Sequence, residues 1–341
     1  MTTPDRAKAS RSPGPDMQDV ARLAGVSPQT VSRTLRGYPH VSASAREKVL
    51  AAVRELGYRR NTAAAALASG RSRSIGVVAL GQGSFRFEVM TGISAVAEQA
   101  RYTLNMVTAA SEAPEHIAAA VSRLLDQSVA GVVLALTLDE TSPELEAVLA
   151  EVPSIAVDGH RPEWADAIAV DSETATRNAV RYLLDLGHST VHYMSGSGGA
   201  RLTEAWRSSL EESGKEIPPV LAGDWTPESG YALAERLLDS RATAVLVAGD
   251  EMAFGVLRRL SVAGVSVPDA MSVMGAAASR FSEWMSPPLS SIDEPLAERG
   301  ARAARYLLRR IGEADEPLAE QVIVPELLLR STTAPPPRGA R

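Results

Sequence analysis

The chain contains no cysteine, which excludes a disulfide framework and cysteine-based zinc sites. Aromatic residues make up only 4% of its 341 residues, so any core must be built mainly from aliphatic side chains and alanine. No stretch approaches the ~18 consecutive apolar residues that a bilayer-spanning helix needs. Met1 to Pro15 is polar and rich in Pro, Ser and Arg, without the apolar centre of a secretory signal. A soluble, cytoplasmic protein is therefore expected. Catalytic signatures are also missing. There is no Gly-x-Ser-x-Gly elbow. Ser195-Gly-Ser-Gly-Gly-Ala-Arg201 lacks both a complete dinucleotide fingerprint and a P-loop lysine. His188 and His192 are four apart, but Gly187 and the strand that follows deny them a shared helical face. No enzyme activity, cofactor or metal is expected.

What is present is a sharp charge asymmetry. The net charge is −6, yet Met1 to Ser74 carries 13 Lys/Arg against 5 Asp/Glu, a net of +8 that leaves −14 for the remainder. A basic head on an acidic body suits a tethered DNA-binding module, because phosphate attraction is needed only where DNA docks. A basic disordered tail would account for Arg6, Lys8 and Arg11 but not for the patterned residues behind them.

Asp16 to Arg33 carries that pattern. Val20, Ala21, Leu23 and Ala24 give a first short helix one apolar face, and Gly25 supplies a turn. Ser27 is a natural N-cap and Pro28 suits the first helical position, so a second helix starts within a few residues. Two short helices joined this tightly make a helix-turn-helix, whose second helix can enter a major groove. Gln29 and Arg33 are four apart and share a face. Both can contact a base with two hydrogen bonds, Gln with adenine and Arg with guanine. On spacing alone, a small bundle solvated by Gln29 and Arg33 fits equally well.

Further residues narrow the choice. Asp19-Val-Ala-Arg-Leu-Ala-Gly-Val-Ser-Pro-Gln-Thr-Val-Ser-Arg33 is followed by Val41-Ser42, Arg46-Glu47-Lys48-Val49 and Glu55-Leu56-Gly57-Tyr58. Together they resemble the lactose repressor family of bacterial transcription regulators. The resemblance covers essentially Asp16 to Thr333. It implies that Pro28, Gln29 and Arg33 read bases and that Ser27, Thr30, Ser32, His40 and Asn61 meet phosphates. Asn61-Thr-Ala-Ala-Ala-Ala-Leu-Ala is too short for a stable isolated helix. By the resemblance it is a hinge helix that pairs with its dimer mate in the minor groove, with Leu67 as the apolar wedge and Ala64 beside it. A plain Ala-rich linker is the alternative. The implied partners are a palindromic duplex operator, a second copy of the chain and a small-molecule effector, a sugar or glycoside; no membrane partner is expected.

The expected organisation follows. Residues 1–15 form a disordered tail, 16–60 the helix-turn-helix domain, and 61–74 the hinge. A third head helix begins at a Ser42 or Ser44 cap and ends at Gly57. From Ile75, apolar runs alternate with amphipathic helices: Ile75–Leu80, Thr103–Val107, Val129–Leu136, Ser154–Val157, Val191–Met194, Ala244–Val247 and Ser272–Met274. This is the pattern of parallel sheets covered on both faces, with ligands bound at strand carboxyl ends. The fold class expected is a small all-α head plus a two-lobed α/β body like the periplasmic sugar-binding proteins. By resemblance, lobe 1 is about 75–169 and 294–320, and lobe 2 about 170–293 and 321–330. Three crossings join them, near Ala169–Asp171, Ser290–Asp293 and Pro317–Val322. The helix Leu296–Ile311 would return to the first lobe and the strand Val322–Leu328 to the second. The Pro-rich tail 331–341 is expected to be disordered, and its lack of Leu heptads leaves a dimer as the expected assembly.

Six positions match the places where the family holds its effector: Asp158, Arg201, Trp225, Asp250, Ala277 and Trp284. The match is uneven. Asp158 could accept hydrogen bonds from sugar hydroxyls, and Trp225 could stack on a pyranose face. The Asn-Asp of the family is here Gly249-Asp250, and its two carboxylates are replaced within Ala276-Ala277-Ala278. The arginine expected four residues before Trp206 is Leu202, with Arg201 beside it. Three readings stay open: a larger or less polar effector held by Trp225, Phe281 and Trp284; polar contacts from Arg201, Arg280 and Glu283; or a cleft without a ligand. A sugar-binding receptor without DNA function is the alternative from another class, disfavoured by the basic head and the missing export signal.

Overall fold

The computed structural model describes residues 15–35, 37–58, 72–80, 84–138, 140–159, 170–197, 199–312 and 322–337. Most of the N-terminal tail, the hinge positions Asn61, Ala64 and Leu67, the third crossing up to residue 321 and residues 338–341 lie outside them. The chain divides into two compact units, Met1–Ser72 and Arg73–Arg341.

In the first unit, α1 (Met17–Ala24) opens on a capping box. Asp16 accepts hydrogen bonds from the Gln18 and Asp19 amides at 2.7 and 2.9 Å, while the Asp19 carboxylate accepts the Asp16 amide at 3.0 Å. Gly25, at φ 65°, ends the helix. The second helix, α2 (Pro28–Leu35), starts three residues later, and α3 (Ala43–Leu56) is capped by Ser42 and stopped by Gly57 at φ 61°. Val20, Ala21, Ala24, Val31, Val49 and Ala52 make the core between them.

The second unit has two lobes. The first is built from β1 (Ser74–Ala79), α4 (Ser84–Gln99), β2 (Thr103–Thr108), α5 (Pro114–Leu125), β3 (Gly131–Leu138), α6 (Pro143–Ala150) and β4 (Ser154–Gly159). Its four strands are parallel in the order β2-β1-β3-β4. The second lobe holds α7 (Ser172–Asp185), β5 (His192–Ser195), α8 (Ala200–Glu212), β6 (Leu221–Ala222), α9 (Pro227–Asp239), β7 (Ala244–Val247), α10 (Asp250–Val262), β8 (Ser272–Ala276) and β9 (Ser290–Asp293). From β9 the chain returns to the first lobe as α11 (Leu296–Arg310), whose Leu296, Ala303, Ala304 and Leu307 join that core. It closes the second sheet with β10 (Glu326–Leu328), giving the order β10-β9-β8-β7-β5-β6.

Two expectations need correction. The second sheet is not wholly parallel, because β10 runs antiparallel to β9. Nor is the whole tail after Ser331 disordered. The Ser331 amide donates to the Pro288 carbonyl at 3.0 Å, the Val273 amide to Thr332 at 2.8 Å, and the Ala334 amide to Ser272 Oγ at 3.0 Å. Thr332 is 0% exposed. The prolines lack donors, but the residues before them carry enough polar groups to pair with the lobe.

The crossings are held by polar contacts. Val170 bridges Ile323, and the Asp171 amide donates to the Ile323 carbonyl at 2.7 Å. Arg299 of α11 is buried and reaches Glu294 at 2.8 Å and Ser172 Oγ at 2.5 Å, so one guanidinium ties two crossing segments together.

Each lobe also contains one helix pair in backbone contact. A Cβ on Gly92 of α4 would lie 1.8 Å from the Ala297 carbonyl oxygen, and one on Gly300 of α11 would lie 2.1 Å from that of Val89. A Cβ on Gly230 of α9 would lie 2.0 Å from the Met252 carbonyl oxygen, and one on Gly255 of α10 would lie 1.9 Å from that of Pro227. Gly92→Ala gains about 1 kcal/mol of helix propensity. It must still push two backbones apart, so a net destabilisation of about 2 kcal/mol is expected. Urea unfolding would show it as a lower midpoint with an unchanged slope.

His188, expected not to bind metal, is a buried hydrogen-bond hub. Nδ1 lies 2.9 Å from Thr243 Oγ1, and Nε2 lies 3.2 Å from Ser272 Oγ and 3.0 Å from the Ala334 carbonyl. Burial pushes its pKa below the ordinary 6.5, partly countered by the Ala334 carbonyl, and burial does the same to His192. Both imidazoles then stay neutral in the folded state while the unfolded chain takes up protons near pH 6.5. Stability should therefore fall as pH drops through and below 6.5, until the lowered folded-state values are passed. Melting midpoints measured from pH 7.5 to 5.5 should fall less steeply in His188→Gln than in the parent.

Candidate nucleic-acid interface and effector cleft

The DNA-facing candidates gather on one side of the head. Ser27 Oγ accepts the Thr30 amide at 3.2 Å and lies 2.9 Å from the Thr30 hydroxyl, which fixes the start of α2. Val31 and Thr34 point inward, and Thr34 donates to the Thr30 carbonyl at 2.8 Å. The helix therefore turns its other face outward. Pro28, Gln29, Arg33 and His40 are exposed, and Thr30 and Ser32 are half-buried. Ser27, Thr30, Arg33, His40 and Ser42 line a groove of about 370 Å³ beside the helix. Nearby, Arg46 donates to the Tyr38 carbonyl at 2.9 Å and ties α3 to the segment after α2. An exposed amide and guanidinium one turn apart, with hydroxyls at the helix start, can read base edges while the hydroxyls meet phosphates.

In the body, four of the effector candidates lie at the carboxyl ends of the second-lobe strands. Arg201 starts α8 after β5, Trp225 follows β6, Asp250 starts α10 after β7, and Ala277 follows β8. Trp225, at φ 70°, donates from Nε1 to the Ser197 carbonyl at 3.1 Å. Its ring lies so close to Gly196 that a Cβ there would sit 2.1 Å away, and a Cβ on Gly249 would sit 3.2 Å from it. These two glycines make room for the indole, which is a fixed, half-buried platform. Arg201 is bonded to Glu173 at 3.1 Å within the same lobe. Asp158 lies in β4, opposite Thr137 of β3, near the carboxyl end of the first sheet. Trp284 stands on the turn Ser282–Trp284 and is 80% exposed among the described residues.

Asp250 is engaged within its own lobe. It is buried, and its carboxylate accepts hydrogen bonds from the Ser279 amide at 2.6 Å, from Ser291 Oγ at 2.7 Å and from the Ser282 hydroxyl. Burial pushes its carboxyl upward in pKa, against the pull of those donors. Gly275 is required beside it, since a Cβ would lie 2.3 Å from Oδ1. Its carboxylate thus ties the start of α10 to the loop after β8 and to β9. The serines that receive it were not anticipated. Phe87, at the start of α4, was missed as well, although Phe85-Arg86-Phe87 is a visible cluster in a chain with four phenylalanines.

A helix-turn-helix head with an exposed reading face, joined to a two-lobed α/β body with a residue cluster at its strand ends, defines a DNA-binding regulator with a ligand-type body. Residues 16–61 match the family model for bacterial regulatory proteins of the lacI family, and residues 180–333 that of the periplasmic binding protein-like domain. The chain is 33% identical over 333 residues to the lactose operon repressor of Escherichia coli (strain K12), covering 94% of this chain and 91% of that one. Among solved structures it is similar to the lac repressor dimer bound to operator and the anti-inducer ONPF, with a TM-score of 0.80 and 30% identity over 94% of this chain and 100% of that one. It is also similar to a complex of the transcriptional regulator CelR with cellobiose, at a TM-score of 0.66 and 28% identity, covering 93% and 99%. The chain belongs to the lacI family of bacterial regulatory proteins and is a DNA-binding transcription regulator. Among the described residues no helix is long and apolar enough to cross a membrane.

Proposed function

We propose that this regulator is a homodimeric, cytoplasmic repressor of carbohydrate-utilisation genes, without enzymatic activity, whose affinity for a palindromic operator is set by a sugar or glycoside between its lobes. The observation that carries the reading is the exposed Gln29–Arg33 face on a capped second helix, borne by a body with a fixed indole at its strand ends. Pro28, Gln29 and Arg33 read bases, and Ser27, Thr30, Ser32, His40 and Asn61 meet phosphates. Leu67, with Ala64 beside it, wedges the minor groove from a hinge at 61–74. Asp158, Arg201 and Trp225 line the effector site, with Ala277 at its edge. The cellobiose bound to CelR supports the choice of ligand class.

A second reading, regulation without a sugar, is favoured by Asp250, whose carboxylate already accepts three hydrogen bonds from Ser279, Ser282 and Ser291. A thermal-shift screen against mono- and oligosaccharides, glycosides and purines separates the two. A ligand at ~100 times its Kd adds about 2.7 kcal/mol. A hit among the sugars that disappears in Trp225→Ala supports the first reading. Silence across the panel supports the second.

A further inference from the structure

The loop from β8 to β9 reaches across to the first lobe. Its root is fixed to the second lobe: the Ala277 amide donates to the Ile292 carbonyl at 3.0 Å, the Ala278 amide to Ser291 Oγ at 3.0 Å, and the Ser279 amide to Asp250 at 2.6 Å. Ala277, at φ 123°, packs against the hydrophobic core of the first lobe. Three residues on, the Arg280 guanidinium carbon lies 5.3 Å from the ring centre of Phe87 in α4 and 5.4 Å from that of its neighbour Phe281. The guanidinium is thus held by one ring from each lobe, at the distance where an aromatic face attracts a cation. Both rings remain 54% exposed, which keeps the contact weak enough to part.

We propose that Ala277, Arg280 and Phe87 form a built-in latch between the lobes, which sets how far the cleft stands open when no ligand is bound. A ligand entering the cleft competes with Arg280 for the Phe87 face. Because the loop is fixed through Asp250 and Ser291, parting the latch moves the second lobe as a body and not the loop alone. The latch needs only the two lobes, whereas its consequence for operator binding rests on the proposed function.

The native chain has no cysteine, so a single label pair reports cleanly on lobe separation. Ala147→Cys on α6 and Ala232→Cys on α9 place spin labels at exposed positions, one in each lobe. Labelled full-length chain is diluted with unlabelled chain, so that the pulsed electron–electron distance is measured within one protomer, without DNA or ligand. Arg280→Ala should raise the ratio of open to closed distances about two- to five-fold, and Phe87→Ala should do the same. The double variant should match either single change, since both remove one contact. Both side chains are exposed, and an unchanged melting midpoint confirms that the fold is kept. Distances that do not move in Arg280→Ala, or single effects that simply add, overturn the latch. A longer distance with unaltered operator affinity keeps the latch and removes the coupling to DNA. An unmoved distance overturns the latch whatever happens to operator affinity.

Discussion

Arg33→Ala should lower affinity for the operator about 5- to 150-fold while leaving affinity for unrelated duplex nearly unchanged, the 1–3 kcal/mol that a two-bonded base contact contributes. Val31 and Thr34 hold α2 against the core, and Ser27 caps it, so an exposed Arg33 can be removed without unfolding the head. What is lost is one donor fork on the outward face. Gln29→Ala should relax preference at a different base pair. Titration against operator and scrambled duplexes at several salt concentrations checks this. An equal loss on every duplex, with the salt slope reduced by about one, would make Arg33 a phosphate contact and contradict the assignment.

Asp250→Ala should destabilise the body by about 3 kcal/mol, because the Ser279 amide and the Ser282 and Ser291 hydroxyls would each lose a charged acceptor inside the protein. For a unit of this size that is a fall of roughly 5–10 °C in the melting midpoint. Asp250→Asn keeps the volume and one acceptor oxygen but turns a donor toward a donor, so it should fall between the two. The distinguishing readout is the loop itself. Amide exchange at Ala278 and Ser279 should accelerate in Asp250→Ala by much more than exchange in the first-lobe strands. Uniform acceleration across both lobes would show that Asp250 acts on global stability and has no particular hold on the loop.

The legible parts of this fold are those whose causes are local. Ser27-Pro28, Ser42 and the left-handed Gly25 and Gly57 announce the helix ends of the head within a few residues of where they act. Apolar runs such as Ala244–Val247 announce central strands because both faces of those strands are buried. Strand β9 was visible only as a crossing, for the opposite reason. Ser290 and Ser291 are buried but polar, and their partners, Thr332, Thr333 and Asp250, come from elsewhere in the chain. The tail after Ser331 hides in the same way. Its proline content reads as disorder, while the backbone groups just before the prolines pair with Ser272, Pro288 and Val273. The site divides along this line too. Gln29 and Arg33 could be placed on an outward face from helical spacing alone. Neither the serines around Asp250 nor the approach of Phe87 to Arg280 could be read from spacing, since both depend on how distant segments meet.

The measurement that tests the account most directly is selection of binding sites by the full-length chain from random duplexes, run beside a chain lacking residues 1–72. The account predicts enrichment of a two-fold symmetric sequence by the full chain and none by the truncated body, because reading rests on the head and symmetry on the dimer. No enrichment by the full chain, or the same enrichment without the head, would contradict it.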